Sequence, residues 1–346
     1  MSTEAVSPPN TATSPPAVRR RGEPWALGTV LGYATANIFD DVAVKQADRS
    51  SNLDLVPPQP ISIVLINALS GALLGTALRG LPSLAMGITL MWKHRTFNQL
   101  RPSSPQYIGL RAVLAFVVAG VISTFGLCLY YLALSLGGVT ITVPVQETYV
   151  IWGTLIAWIF LHERLHRYAL GGVVLIFLGL VGLSFGQYRG QPISPHWYWA
   201  IPLALATALT YGISGVLWRD GQLRGAHQSV AIFLQFITSV TVALIALLAA
   251  GRLPTLHAVP WRALATLLTS GVLSGVLAIY CMFTALRLMA VARVYAFSSL
   301  TPLVATLFAH FFLHEFLNWL MLAGIVLVSI GVILTQVFRP QEERQA

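Results

Sequence analysis

The sequence predicts an all-α membrane protein of ten transmembrane helices, arranged as two inverted five-helix repeats. Three observations carry this expectation. The 346 residues are 56% hydrophobic and only 10% charged, with a mean hydropathy of +0.72. Such a chain cannot cover a water-facing surface with polar groups, whereas a lipid-facing surface has no such need. Residues 133–179 return at a constant offset of 152 as residues 285–331, with 17 of 47 positions identical and no gap. The cationic residues, finally, fall unevenly on the two sides of the spans.

Stretches of about 20 apolar residues between short polar breaks can cross hydrocarbon as helices, because a helix satisfies its own backbone. Ten such stretches lie near 25–45, 71–93, 108–132, 138–161, 168–187, 197–217, 228–250, 264–288, 292–314 and 319–338. The second is the least simple. Residues 61–92 form one apolar run containing Arg79-Gly80-Leu81-Pro82, so two short helices are conceivable. One span with a preceding hydrophobic or interfacial segment fits the repeat better, since it gives five helices per half.

Charge tests the count. With ten spans and a cytoplasmic N-terminus, 15 Lys and Arg residues lie inside and 5 outside, and Arg79 falls within a span. That is the bias expected of cytoplasmic loops. An eleventh span would invert everything after residue 80 and spoil it. The net charge of +9 therefore reports orientation in a cell membrane, with both termini cytoplasmic. Its cations are scattered over short loops, so a nucleic-acid partner is not expected. Residues 1–22, rich in Ser, Thr, Pro and Ala, read as a disordered cytoplasmic tail without the apolar core of a signal peptide. Cys128 and Cys281, inside the third and eighth spans, read as packing residues.

The repeats occupy 25–187 and 197–338. The first helices match at an offset of 172, through Trp25 with Trp197 and Ala34-Thr35-Ala36 with Ala206-Thr207-Ala208. Extra chain in the first half is placed in the Pro-rich outer loop around Asp48–Pro60. Five spans is an odd number, so the second copy enters the membrane in the opposite direction. Inverted halves that rock against each other can open a central site alternately to each side.

Each half contains a helix ending in Phe-Leu-His-Glu, at 160–163 and 312–315, followed by Leu-x-Gly-x-Val-Leu. Before these stand Tyr131-x-Ala133-Leu134 and Phe283-x-Ala285-Leu286. In these residues the chain resembles the EamA-type ten-helix carriers of the drug/metabolite transporter superfamily, over residues 25–338. The resemblance implies a central cavity bounded by both halves, with the fifth and tenth helices peripheral. It implies transport of amino acids or other small metabolites, often outward; relatives carry nucleotide sugars or sugar phosphates. Pro302 stands in the ninth helix where the first half has Val150 and an earlier Pro144, so the two gating helices are expected to bend at different depths.

Charges within spans are candidates for function. They are Glu147 in the fourth span, Arg79 in the second, and Asp40 and Asp41 in the first. Arg79 and Glu147 both lie roughly 12 Å from the outer ends at about 1.5 Å per residue, a depth that permits a pair. Asn37, Gln146 and Tyr149 accompany them. A structural ion pair and a solvated substrate or proton site are the competing readings. The second half answers with Ser299 in place of Glu147, and with Tyr211, Trp218, Gln235, Tyr280, Tyr295 and Ser298 as a possible second wall. Trp218 reads chiefly as an interface anchor. Glu163 and Glu315 end one helix and precede the next, a structural position at a helix N-terminus. His162 and His314 follow the same reasoning, and His310 reads as an interior hydrogen-bonded histidine.

No phosphate loop, zinc-protease motif or nucleophile elbow occurs, so neither an enzyme nor a cofactor is expected. The partners expected are a small-molecule substrate and the bilayer, with proton coupling as an option through Glu147. Secondary export of a small polar or amphipathic metabolite, such as an amino acid, by alternating access leads. A nucleotide-sugar or sugar-phosphate carrier and organic-cation efflux are alternatives. A non-transporting receptor is disfavoured by the short loops.

Overall fold

The computed structural model describes residues 22–50, 61–162, 167–187, 197–250, 261–304, 307–308 and 318–337, with side chains excepted at 38, 41–50, 61–68, 70, 137–141, 143–144, 167–169, 183–184, 186–187, 197, 332 and 335–337. Glu163, Glu315, His310 and His314 lie outside the described residues, as does the side chain of Asp41. The ordered elements are helical, and no strand occurs among the described residues.

The first half contains α1 (Glu23–Ser50), α2 (Ile61–His94), α3 (Leu110–Gln146), α4 (Tyr149–Phe160) and α5 (Arg167–Gln187). The second contains α6 (Ala200–Leu223), α7 (Gln228–Ala249), α8 (Trp261–Gly271), a π-helical stretch (Val272–Ile279), α9 (Tyr280–Leu288), α10 (Val291–Ser298) and α11 (Trp319–Val337). Among the described residues, five stretches are long and apolar enough to cross a membrane: Gly71–His94, Leu110–Leu136, Ala200–Leu223, Gln228–Ala249 and Trp261–Leu288. Four shorter apolar helices accompany them.

Helix α2 runs unbroken through Arg79-Gly80-Leu81-Pro82, so the apolar run is one helix and not two. Helix α3 departs from expectation. Its 37 residues pass through the proposed boundary between the third and fourth spans. No residue from Ala133 to Val139 is charged or proline, so no side chain there removes a backbone donor. At about 1.5 Å per residue the helix is about 55 Å long, more than one hydrocarbon thickness of about 30 Å.

The interruption comes at Glu147-Thr148, where the Thr148 N–H bonds the Val145 carbonyl at 3.2 Å. The second half breaks 152 residues later, where the Leu300 N–H bonds the Phe297 carbonyl at 2.9 Å. The two gating helices therefore break at equivalent positions, contrary to the depth difference expected from Pro302. In the second half Pro302 has no N–H to give to the preceding turn. In the first half the Val150 N–H turns instead to the Glu147 carbonyl at 3.2 Å. Different residues produce the same gap in the ladder.

Packing fixes the relative direction of the copies. A β-carbon added to Gly179 of α5 would meet the Gly324 carbonyl oxygen and the Val328 nitrogen of α11, both at 2.7 Å. One added to Gly331 would meet the Gly172 carbonyl oxygen at 2.6 Å and the Ile176 nitrogen at 2.8 Å. The repeat offset converts each contact into the other, as a two-fold axis requires. Gly172 faces Gly331 while Gly179 faces Gly324, so numbering falls on one helix as it rises on the other. The helices are antiparallel, and the copies are inverted.

The same reversal holds elsewhere. Helix α1 meets the eighth span through Gly22 with Met289, Gly28 with Cys281 and Gly32 with Ala278. Its equivalent α6 meets α3 through Gly221 with Phe116, Ser214 with Ser123, and Thr210 with Gly126. Helix α2 meets α7 through Gly80 with Val240 and Gly87 with Phe233. Small residues let these backbones approach where lipid offers no hydrophobic driving force. Adding one methyl group at Gly179 or Gly331 (Gly→Ala) should lower stability by about 1–3 kcal/mol in a reversible detergent unfolding series. Gly171→Ala, whose β-carbon meets nothing within 4 Å, should change it by less than about 0.5 kcal/mol.

Candidate functional site

A cavity lies between the halves, with about 140 Å³ available to the centres of water molecules. Its walls come from α1, α2, α3, the Glu147 break, the start of α4, α6, α7, the π-helical stretch, α9 and α10. Helices α5 and α11, occupied with each other, contribute no lining residue among those described. Tyr33, Asn37, Arg79, Tyr130, Gln146, Glu147, Tyr149, Tyr211, Trp218, Gln235 and Tyr295 supply its polar and aromatic lining.

Arg79 does not pair with Glu147. Its Nη1 donates to Asp40 Oδ2 at 2.5 Å, and its Nε donates to Ser274 Oγ at 3.0 Å. Ser270 Oγ donates to Asp40 Oδ1 at 2.6 Å, and the Tyr131 hydroxyl reaches the same oxygen at 3.3 Å. Asp40 is fully buried, and the Arg79 side chain is 12% exposed. The guanidinium thus borders the cavity while the carboxylate lies behind it. An isolated charge in hydrocarbon is costly, and a pair is tolerated when hydrogen bonds satisfy its remaining atoms. Ser270 and Ser274 provide those bonds from one face of the eighth span, one helical turn apart. The span can come close enough because Gly271 and Gly275 lie against Arg79 and Ser83 of α2. Neither serine was singled out in the sequence. A pair of small hydroxyls four apart on an apolar helix was the available signal.

Glu147 stands at the first-half break, 5% exposed and facing the cavity. Its Oε2 has no hydrogen-bond partner among the described residues, and neither has Oε1 of adjacent Gln146. The chain interruption also frees backbone from the ladder at this point, which lets a carboxylate turn inward. Tyr149 begins α4 beside it. The Tyr149 ring meets Tyr295 at 4.8 Å between centroids with planes at 85°, and Tyr211 at 6.4 Å with planes at 77°. Both are edge-to-face contacts of the favoured kind. Tyr295 fits a slot between Gly153 and Gly215, where any β-carbon would collide with it, and its hydroxyl donates to the Tyr211 carbonyl at 2.9 Å.

Glu147, Arg79, Asn37, Gln146, Tyr149, Tyr211 and Tyr295 are therefore brought to one cavity, with Asp40 immediately behind. Ser299 is not at its surface: it is fully buried, and its hydroxyl bonds the Ala296 carbonyl at 2.7 Å. Trp218 is no interface anchor. It is 7% exposed, lines the cavity, and donates through Nε1 to Gln235 Oε1 at 2.9 Å. Tyr280 turns away to pack on Trp25 at 5.8 Å, and Ser298 bonds the Val294 carbonyl of its own helix. Cys128 and Cys281 are free and buried on separate helices. His162 is exposed and holds a left-handed backbone conformation at the end of α4.

The family model for the EamA-like transporter family matches the chain twice, over residues 57–185 and 198–337. No curated protein matches it. A solved structure described only as "Crystal structure of protein" aligns with 92% of this chain and 98% of its own length, at 18% identity and a TM-score of 0.61; that likeness concerns the fold alone. Two family matches covering most of the sequence coincide with two antiparallel helical halves around a shared cavity. The chain belongs to the EamA-like transporter family of the drug/metabolite transporter superfamily, whose members are multi-pass membrane transporters and not enzymes.

Proposed function

We propose that the protein is a secondary transporter that exports a small polar or amphipathic metabolite by alternating access, with Glu147 exchanging a proton for substrate. The repeats at 25–187 and 197–338 act as the moving halves, residues 1–22 form a cytoplasmic tail, and both termini face the cytoplasm of the cell membrane. The observation that carries this reading is Glu147: a buried carboxylate with an unpartnered oxygen, on the cavity, at a helix break. A carboxylate in a low-dielectric site with no cation matched to it favours binding something positive. A proton or a charged substrate group can serve, one at a time. Equivalent breaks in α3–α4 and after α10 supply places where the walls can bend as the halves rock. A phosphate-bearing substrate would want several free cations. Arg79 lines the cavity already matched to Asp40, which weighs against a nucleotide-sugar or sugar-phosphate carrier.

Glu147→Gln should bring pH-driven uptake in proteoliposomes down to the level of empty liposomes while leaving the melting profile of the purified protein unchanged. Fully pH-sensitive transport in that variant would remove Glu147 from the coupling role. Asp40 and Arg79 act here as a mutually neutralising pair. Asp40→Asn or Arg79→Met alone should lose about 3–5 kcal/mol of stability, since each leaves a buried charge unmatched. The double variant should recover much of that loss, as measured by a detergent-unfolding mutant cycle.

A further inference from the structure

We infer that the cavity selects a protonated amine carrying an aromatic or apolar body and no carboxylate, with Glu147 as its counter-ion. The inference rests on the transport reading and adds the chemical class of the substrate. Among the described residues bordering the cavity, the ordinarily charged side chains are Arg79 and Glu147. Arg79 is already matched by Asp40 at 2.5 Å, so those three groups leave one negative charge. Two buried acceptors of residues that line the cavity have no donor among the described residues, Glu147 Oε2 and Gln146 Oε1. An acceptor pair of this kind is completed by a group that donates several hydrogen bonds and carries positive charge. An ammonium does both, with three N–H donors. An alcohol supplies one donor and no charge, and a carboxylate supplies neither.

The walls agree with that choice. Tyr33, Tyr149, Tyr211, Tyr295 and Trp218 line the same cavity, and aromatic faces attract a cation within about 6 Å of the ring centroid. A zwitterionic amino acid would bring a carboxylate that needs its own cation. Arg79 already has its charge matched by Asp40, with Nη1 on that carboxylate and Nε on Ser274, so a substrate carboxylate would have to share the guanidinium with it. The amine's remaining bulk meets Leu127, Phe236 and Ile279. Such a ligand and a proton compete for one carboxylate, which makes exchange the natural mode.

The probes are phenethylamine, phenylalanine, 2-phenylethanol and 3-phenylpropionate, titrated into the purified full-length protein by calorimetry. Phenethylamine should bind at least about tenfold more tightly than the other three, as a charge-assisted hydrogen bond warrants. Its affinity should fall on acidification, because a proton then takes the site it needs. The other titratable or charged groups that line the cavity with Glu147 are Tyr33, Arg79, Tyr130, Tyr149, Tyr211 and Tyr295, and phenols and guanidinium ordinarily titrate at alkaline pH. In Glu147→Gln the preference and the pH dependence should both vanish. The wild-type comparison of the four probes needs no variant, so a misfolded variant leaves the test intact. Phenylalanine or 3-phenylpropionate binding as tightly as phenethylamine would overturn the inference. So would phenethylamine binding no tighter than the alcohol. Proton-coupled flux is read separately, so either result leaves the transport reading standing or falling on its own.

Discussion

A guanidinium placed within a hydrocarbon span has to be neutralised, and the way Arg79 is neutralised organises the centre of this protein. Asp40 takes the charge from α1, Ser274 and Ser270 complete the hydrogen bonding from the eighth span, and Tyr131 adds a contact from α3. Four helices are tied at one point. The close approach depends on glycine: at Gly271 and Gly275 there is no β-carbon to hold the eighth span away from α2. A π-helical stretch begins immediately after Ser270-Gly271, and such stretches widen a helix where side chains must be re-aimed. Because Arg79 is satisfied there, it does not neutralise Glu147. The cavity's chemistry follows from that division.

Symmetry and asymmetry serve different ends. The backbone contacts obey the repeat closely, with Gly179 on Gly324 and Gly331 on Gly172 as reciprocal contacts. The helix breaks obey it too, through equivalent bonds from Thr148 and Leu300. The side chains at the breaks do not. Glu147 reaches the cavity, whereas its equivalent Ser299 is buried and bonds its own helix. Duplication thus supplies two helix breaks, while divergence leaves one of them with a carboxylate. A pair of carboxylates at both breaks would have doubled the buried charge without adding a cation to meet it.

The fold was legible in the sequence because its signals are repeated and coarse. Apolar length, offset and loop charge each average over many residues. The inversion followed from counting spans, and it reappears in the structure where equivalent helices of the two copies meet, with antiparallel numbering at Gly172–Gly331 and Gly179–Gly324. What escaped was local. The missing loop near Gly137 and the shared break depth both concern where a backbone ladder loses one bond, and proline placement alone misjudged it because Val150 can redirect its N–H. The site was legible as a set of costly residues but not as partnerships. Depth along the membrane puts Arg79 level with Glu147, yet rotation about the helix axis decides which neighbour it meets. That rotation depends on packing at Gly271 and Gly275, which sequence periodicity does not resolve. Trp218 was misread for a related reason: its nearness to a span end suggested the interface, while its face of α6 turns toward Gln235.

The central claim is that, of the two buried carboxylates near the cavity among the described residues, Glu147 is the one that binds a proton and Asp40 is committed to Arg79. Infrared difference spectroscopy of the purified protein, recorded while pH is stepped, reads this directly through the carbonyl stretch of a protonated carboxyl group. The account predicts a pH-dependent band that disappears in Glu147→Gln and persists in Asp40→Asn. A band that disappears in Asp40→Asn and persists in Glu147→Gln would contradict it.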